Sequence, residues 1–444
     1  MVKYGGNKYL WGNVPSLNLL RLRDNEGIST KRDLSLPLAA SGDPRNLVKT
    51  IVCLPEEYKG HVHVDEASLI ILHLWYSAFL SGDLMESIQS KIAPLVKKVV
   101  KSKTARDYDN VEASWACNSA TLSAELPGKT CSNLASYFPG KANVPFEKAS
   151  AQRQSVTLAH SRRDYRDRAM LRLPPSWRLA KLRFRKEGVL LPFGASSERF
   201  KVPNPTLFQH QSAWPMADSA DPLDGWESTE FMTEAHSAKQ DIYDQLYFHV
   251  RNTLFKFCQK IATLDLEIRL VQMDAEELSK ELSHQNNVRT YDRIELSNIA
   301  DRAYLGPHKT VGLFSTFLRD RLENPSSTLL TLFLNVTHEV TTLADMVAGM
   351  ETSIRDKTNA ESMKLMQAQS LFVDNDALFG RFLQETRLEE FTKSFFGVAM
   401  KENNTIVSKW PMRLGKNPAQ KEFDMVFQSG HQGSERYVEW RRTR

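Results

Sequence analysis

The chain has few cysteines, no long apolar run and little net charge. Its four cysteines, Cys53, Cys117, Cys131 and Cys258, are scattered over 444 residues and form no Cys-x-x-Cys pair. Neither a zinc knuckle nor a disulfide framework is therefore legible, and free thiols in a reducing interior are expected even for Cys117 and Cys131. The opening stretch MVKYGGNKYLWGN has no apolar core of signal-peptide length. The run Ala67 to Leu80 is interrupted by His73 and soon meets Gly82-Asp83, too short to cross a bilayer. These absences lead to the expectation of a cytoplasmic protein with no membrane partner. The sequons at Asn335 and Asn403 then carry little weight. A net charge of +5 is too small to argue for nucleic acid. There is no internal repeat, no low-complexity tract and no Gly-x-Gly-x-x-Gly fingerprint.

What is present is an ordinary globular mixture, 41% hydrophobic and 25% charged, long enough for one large domain or two to three smaller ones. Leu34 to Ala40 reads as a strand, weakened by Pro37, which has no N–H to give to a ladder. It runs into Ser41-Gly42-Asp43 and a helix over 44–54. Tyr58 to Asp65 reads as a second strand ending on an acid. Residues 66–104 are helical by pattern, with Lys97, Lys98, Lys101 and Lys103 on the wet side. Residues 105–225 lack a sheet rhythm and carry eight arginines between Arg162 and Arg185. No aromatic residues interleave with them in a base-stacking pattern. A helix over 227–263 carries Tyr243, Tyr247, His249 and Phe255. Strand patterns return at Leu266 to Asp274, Tyr291 to Asn298 and Thr328 to Asn335. The last is almost continuously apolar, as befits a strand covered on both faces. Residues 338–398 read as helical. Thr405 to Trp410 and Arg436 to Trp440 read as a terminal antiparallel pair.

The expected architecture is α/β. Residues 1–104 and 264–444 form one Rossmann-like domain, interrupted by a large, mostly helical insertion over 105–263. Ligands of open α/β sheets sit at the carboxyl ends of the strands. Those ends carry Ser41, Gly42, Asp43, Asp65, Asp274, Ser297, Asn298, Asp301 and Asn335, with Arg45 just inside the first helix. Asp43 at that helix start repels a pyrophosphate, which disfavours a dinucleotide. An adenosyl ligand with a cationic or zwitterionic end, S-adenosyl-L-methionine, suits the set better. Asp65 would take the ribose hydroxyls, Asp274 the adenine amine, and Ser41 and Asp43 the amino-acid portion. Asp301 would orient the substrate's donor group, with Tyr304, Tyr243, Tyr247 and His249 as further wall or base candidates. For Asp43, Asp274 and Asp301 the competing reading is a helix cap. For Tyr243, Tyr247 and His249 it is plain core or helix surface. Trp226 either lines the roof of a site or anchors the insertion.

Several motifs resemble fungal proteins that carry the DUF4470 domain: Tyr9-Leu-Trp-Gly-Asn13, Ala39-Ala-Ser-Gly-Asp-Pro-Arg-Asn46 and Leu54-Pro-Glu-Glu-Tyr-Lys-Gly60. Asn204-Pro-Thr-Leu-Phe208, Asp221-Pro-Leu-Asp-Gly-Trp226 and Arg293-Ile-Glu-Leu-Ser-Asn-Ile-Ala-Asp301 extend the likeness, as does Asn324-Pro325 followed by Thr328 to Asn335. That domain is in turn similar to the N-terminal part of dynein axonemal assembly factor 3. The resemblance implies a class I methyltransferase-like fold. Relatives often have Asn-Asp after the second strand, where this chain has Val64-Asp65, so only the acid carries over. Some relatives carry a MYND zinc finger, for which this chain has no cysteine cluster. The expected function is an S-adenosylmethionine-dependent methyltransferase acting on a small molecule. Aminocarboxypropyl transfer from the same cofactor and a non-catalytic assembly role on the same fold are the alternatives.

Overall fold

A computed structural model describes residues 4–55, 65–101, 110–137, 144–208, 213–233, 238–284, 289–343, 345, 373–414, 419–429, 431 and 433–443. The chain is mixed α/β and divides into two compact units, Met1–Ser16 with Leu47–Gln272, and Leu17–Asn46 with Met273–Arg444.

The first unit is built around the helix Ile242–Ile261. Asp241 caps it by accepting the N–H groups of Tyr243 and Asp244. Leu246, Val250 and Leu254, three to four residues apart, bury one stripe of it among Trp11, Tyr76, Phe184 and Trp226. The helix Asp65–Tyr76 packs beside it. The end of that second helix is held by Asn204, whose amide donates to the carbonyls of His73 (3.2 Å), Leu74 (2.9 Å) and Ser77 (2.7 Å). Carbonyls that a helix end leaves open are thereby satisfied inside the core. Strand β1 (Phe79–Ser81) pairs with the later Phe200–Pro203. Between these strands in sequence, β2 (Asn110–Cys117) and β3 (Ala120–Pro127) form a two-residue hairpin through Asn118, which takes a left-handed φ of 54°. With Phe200–Pro203 as β4, the next strand is β5 (Glu267–Val271), which runs parallel to β3.

The second unit holds the sheet β6 (Arg293–Glu295), β7 (Thr328–Phe333), β9 (Arg436–Arg442) and β8 (Val398–Met400), in that order across the sheet. β6 and β7 are parallel, while β9 is antiparallel to both β7 and β8. The extended segment Ser35–Ala39 lies along the free side of β6 and runs with it. Ser35 and Pro37 accept the N–H groups of Asp292 and Glu295, and Ala39 donates to the Glu295 carbonyl at 2.9 Å. Pro37 offers a carbonyl but no N–H, so one rung is missing and the segment stays an irregular neighbour of the sheet. All six residues of β7 are buried. Ile294, Leu329, Phe333, Phe379, Phe382 and Trp440 fill the core around it.

Two buried polar networks brace this sheet. At the amino end of β6, Arg293 pairs with Glu26 at 2.8 Å, both 2% exposed. Beside them Asp292 accepts the Ser35 N–H and the Asn324 amide. In β9 the Glu439 carboxylate accepts the N–H groups of Thr405, Ile406 and Val407 and pairs with Lys401 at 3.0 Å.

Several expectations are corrected. Leu266 to Asp274 does contain a strand, β5, but it joins the hairpin sheet of the first unit and not the sheet of β6 and β7. Residues 56–64, where the second strand was expected, lie outside the described residues, and Asp65 opens a helix. The stretch expected to be mostly helical includes the β2–β3 hairpin. Thr405 to Trp410 is not a strand, because its first N–H groups are turned onto Glu439. The antiparallel neighbours of β9 are β7 and β8. Of the strands expected at 34–40, 291–298 and 328–335, the last two are realised in part as β6 and β7, and the first is an extended segment with a single bridge, Leu38 to Glu295, beside β6.

Candidate functional site

In the second unit the segment Ser35–Ala39, β6 and β7 all run the same way, so their carboxyl ends share one edge of the sheet. After the first of them the chain turns through Ser41, Gly42 and Asp43 into the helix Arg45–Val52. The Ser41 hydroxyl donates to the Asp43 carbonyl at 2.7 Å, which tightens the turn. One carboxylate oxygen of Asp43 accepts both the Arg45 N–H (2.9 Å) and the Arg45 Nε (2.7 Å). Both side chains are 8% exposed. Asp43 therefore caps the helix and holds a guanidinium at the strand end. Ser41 and Gly42 are exposed beside this pair.

Residues 10–66 match the family described as a domain of unknown function, DUF4470. That stretch includes both the segment along β6 and the Ser41 to Arg45 turn. No curated protein and no solved structure matches the chain.

β6 ends on Glu295, which is buried and accepts the Ser297 N–H at 2.8 Å. Burial pushes its carboxyl up to about 7. The Ser297 N–H and the Arg45 guanidinium oppose that shift, and the Asp43 carboxylate reinforces it. Ser297 sits at φ 45°, a conformation that costs a non-glycine residue on the order of 1 kcal/mol. It persists because its neighbours fix it: Leu296 donates to the Leu330 carbonyl, and Leu332 donates to the Ser297 carbonyl at 2.8 Å.

Asp301, which is fully buried, ties the loop after β6 to the end of β7. Its carboxylate accepts the N–H groups of Leu334 (3.2 Å) and Asn335 (3.4 Å), the Asn335 amide (2.9 Å) and the Asn298 amide (3.4 Å). Burial raises its pKa, and these four donors work against the rise. Tyr304 follows on the surface, 56% exposed.

The other expected residues lie elsewhere. Asp274 caps the helix Ala275–His284 by accepting the Glu276 N–H at 2.8 Å, and does not follow a strand of this sheet. Asp65, Tyr243, Tyr247 and His249 belong to the first unit. Tyr243 donates to Asp221 at 2.8 Å, stacks on Phe184, and is held protonated far above the usual phenol range by burial and then by Asp221. Lys181 pairs with the same Asp221 at 2.8 Å. Tyr247 packs against His73 and Phe248, and His249 against Trp226 and Phe231. Trp226 is itself buried and donates to the Tyr76 hydroxyl at 2.9 Å. These side chains form the aromatic interior of the first unit.

The strand ends thus gather Asp43, Arg45, Glu295, Ser297, Asn298 and Asp301 within one unit. Glu295 was not singled out from the sequence. In the sequence it is one polar residue among several in Tyr291 to Asn298, after Asp292 and Arg293, and its spacing does not set it apart. Of the site's three carboxyls, Asp43 is paired with Arg45, Glu295 is buried and Asp301 is held by four donors, and the exposed backbone beside them is that of Ser41 and Gly42. Among the described residues, no group of three or more His, Cys, Asp or Glu side chains is gathered as a metal site.

Proposed function

We propose that the second unit holds S-adenosylmethionine at the carboxyl ends of the segment Ser35–Ala39, β6 and β7, and that the protein is a transferase acting on a small molecule. The observation that carries this reading is that Ser35–Ala39, β6 and β7 run the same way and bring their carboxyl ends to one edge of the sheet, where open α/β sheets take their ligands. The same sheet has the strand-end acids that a ligand with ammonium and sulfonium charges favours. Asp43 would face the positive groups, Arg45 a carboxylate, and Ser297 and Asn298 the adenosyl part. The cofactor supplies an electrophilic carbon, so the chain's own task is to position the acceptor and exclude water.

Calorimetric titration of the full chain with S-adenosylmethionine and S-adenosylhomocysteine tests this, with Asp43→Asn as the weakened variant. Saturable binding that the variant reduces by about tenfold supports it. A well-folded protein that binds neither compound refutes it. Product analysis then separates methyl transfer, which leaves S-adenosylhomocysteine, from aminocarboxypropyl transfer, which leaves methylthioadenosine.

One observation favours a second reading, a non-catalytic scaffold on the same fold. Asp43 is already engaged by Arg45, and Asp301 by four donors. Strand ends satisfied from within need no ligand. That reading expects no affinity for either compound.

A further inference from the structure

The first unit carries a feature that the proposed transferase reading does not use. Residues 158–187 contain ten Lys and Arg against three acids, whereas the rest of the chain has 48 Lys and Arg against 50 Asp and Glu. The excess positive charge of the protein is thus confined to two successive helices, Arg163–Leu171 and Pro175–Glu187. Some of it is structural: Arg162 pairs with Asp218 and Lys181 with Asp221. Arg163, Arg168 and Lys186 are exposed. Arg163 and Arg168 face Asp167 and Asp164 one helical turn away, as exposed pairs that hold little energy and open easily.

The second of these helices also displays large apolar side chains. Leu179, Leu182 and Lys186 share one face of the helix Pro175–Glu187 by their spacing. Leu179 is 71% exposed and Leu182 is 40% exposed. Arg183, on this face, donates to the Ala195 carbonyl at 2.5 Å and so fastens the turn Pro192–Ala195 beside it. Ala195 donates to the Pro192 carbonyl, Gly194 sits at φ +80° with open space around it, and Phe193 at the turn's tip is 67% exposed. The Phe193 N–H is anchored on Asp244 of the core helix at 2.7 Å. The result is an outward-pointing apolar tip, held by two hydrogen bonds, beside the helix face that carries Lys186.

We propose that Leu179, Leu182 and Phe193 enter the interfacial layer of an anionic lipid bilayer, with Arg163, Arg168 and Lys186 on its headgroups. This departs from the sequence expectation of no membrane contact. Two signals, modest apolar insertion and basic residues, are what reversible surface attachment requires. A helix-binding protein partner would call for a groove rather than a protruding tip. Leu179 and Leu182 give a nucleic acid nothing to stack on, and Phe193 is one exposed ring where a single strand calls for a series of them.

The test is co-sedimentation of the full chain with vesicles of phosphatidylcholine containing phosphatidylserine, and with phosphatidylcholine alone. Binding is expected only to the anionic vesicles. Replacing Leu179 and Phe193 together by Glu is expected to lower it by roughly 100-fold, and Arg163→Gln with Lys186→Gln by roughly 25-fold. All four side chains are exposed, so unfolding midpoints should match the parent and show that the variants fold. Failure of the parent protein to sediment with anionic vesicles in low salt overturns the proposal. So does sedimentation that the double Glu variant leaves unchanged. Binding of single-stranded RNA or of an acidic polypeptide such as polyglutamate, without vesicle binding, assigns the basic surface to that partner and overturns the proposal as well.

Discussion

Replacing Glu295 by Gln should make the second unit more stable at alkaline pH and no more stable at acid pH. The carboxyl rises from 4.5 to about 7 on folding because it is buried at the end of β6. Below pH 4.5 folded and unfolded chains both hold the proton, and the group contributes nothing to the pH dependence. Between 4.5 and about 7 the unfolded chain has released the proton and the folded chain has kept it, so stability falls as pH rises. Above the folded value the loss is complete. A shift of that size corresponds to about 3 kcal/mol. Gln keeps the oxygen that accepts the Ser297 N–H and has no charge to lose. Stability measured as hydrogen exchange of peptides from β7 in denaturant reads the second unit by itself. The two proteins should agree near about pH 4.5, and the variant should lead by about 3 kcal/mol near about pH 8.5. Asp43→Asn should move the parent's transition to lower pH, since the Asp43 charge helps to hold the Glu295 proton. Parallel pH profiles for parent and Glu295→Gln would refute the reasoning, because they would mean that Glu295 ionises as freely in the folded unit as outside it.

Gly188→Ala should destabilise the first unit by about 2 kcal/mol or more. Gly188 ends the helix Pro175–Glu187 at φ +74°, and a Cβ there would lie 2.8 Å from the buried Arg153 guanidinium and 3.0 Å from Ala78 Cβ. A denaturation midpoint equal to the parent's would contradict this. Glu26→Gln should cost about 3 kcal/mol in the second unit by leaving the Arg293 charge buried without its counter-ion. The carbonyls of Leu19, Leu20 and Ser326, which also accept from Arg293, keep the loss near the low end of the range for a broken buried pair. Denaturant titration followed in β7 peptides checks it.

The elements legible in the sequence are those whose burial leaves a strong local pattern. β7 is apolar at nearly every position because both its faces are covered, and Ile242–Ile261 repeats its apolar residues at helical spacing. Partner choice is not a local property. β5 has a good strand pattern, yet nothing in it says that it will pair with β3 rather than β6. The hairpin β2–β3 was missed although β2 does alternate, Val111, Ala113 and Trp115 against the exposed Glu112, Ser114 and Ala116, because so short a run stands out little among loop residues. The terminal pairing was misread because β8 has only three residues. Thr405 to Val407 looks like a strand but spends its N–H groups on Glu439.

The candidate site was legible where chain order alone places residues at strand ends, as for Ser41 to Arg45 and Ser297 to Asp301. It failed where the same residue types serve a core, because Tyr243 and His249 recur at a spacing that suits packing and ligand contact equally. Asp274 illustrates the remaining ambiguity, since an acid before a helix looks the same whether it caps or binds. Glu295 escaped because its altered acidity comes from burial, which no spacing reveals.

In the proposed function the carboxyl ends of Ser35–Ala39, β6 and β7 form a ligand edge. Hydrogen exchange of the full chain with and without S-adenosylhomocysteine tests it most directly. The account predicts slower exchange in peptides covering 39–46, 295–301 and 333–336 together, with little change at the amino ends of the same strands. Unchanged exchange at all three, or protection confined to the helix Ile242–Ile261, would contradict it.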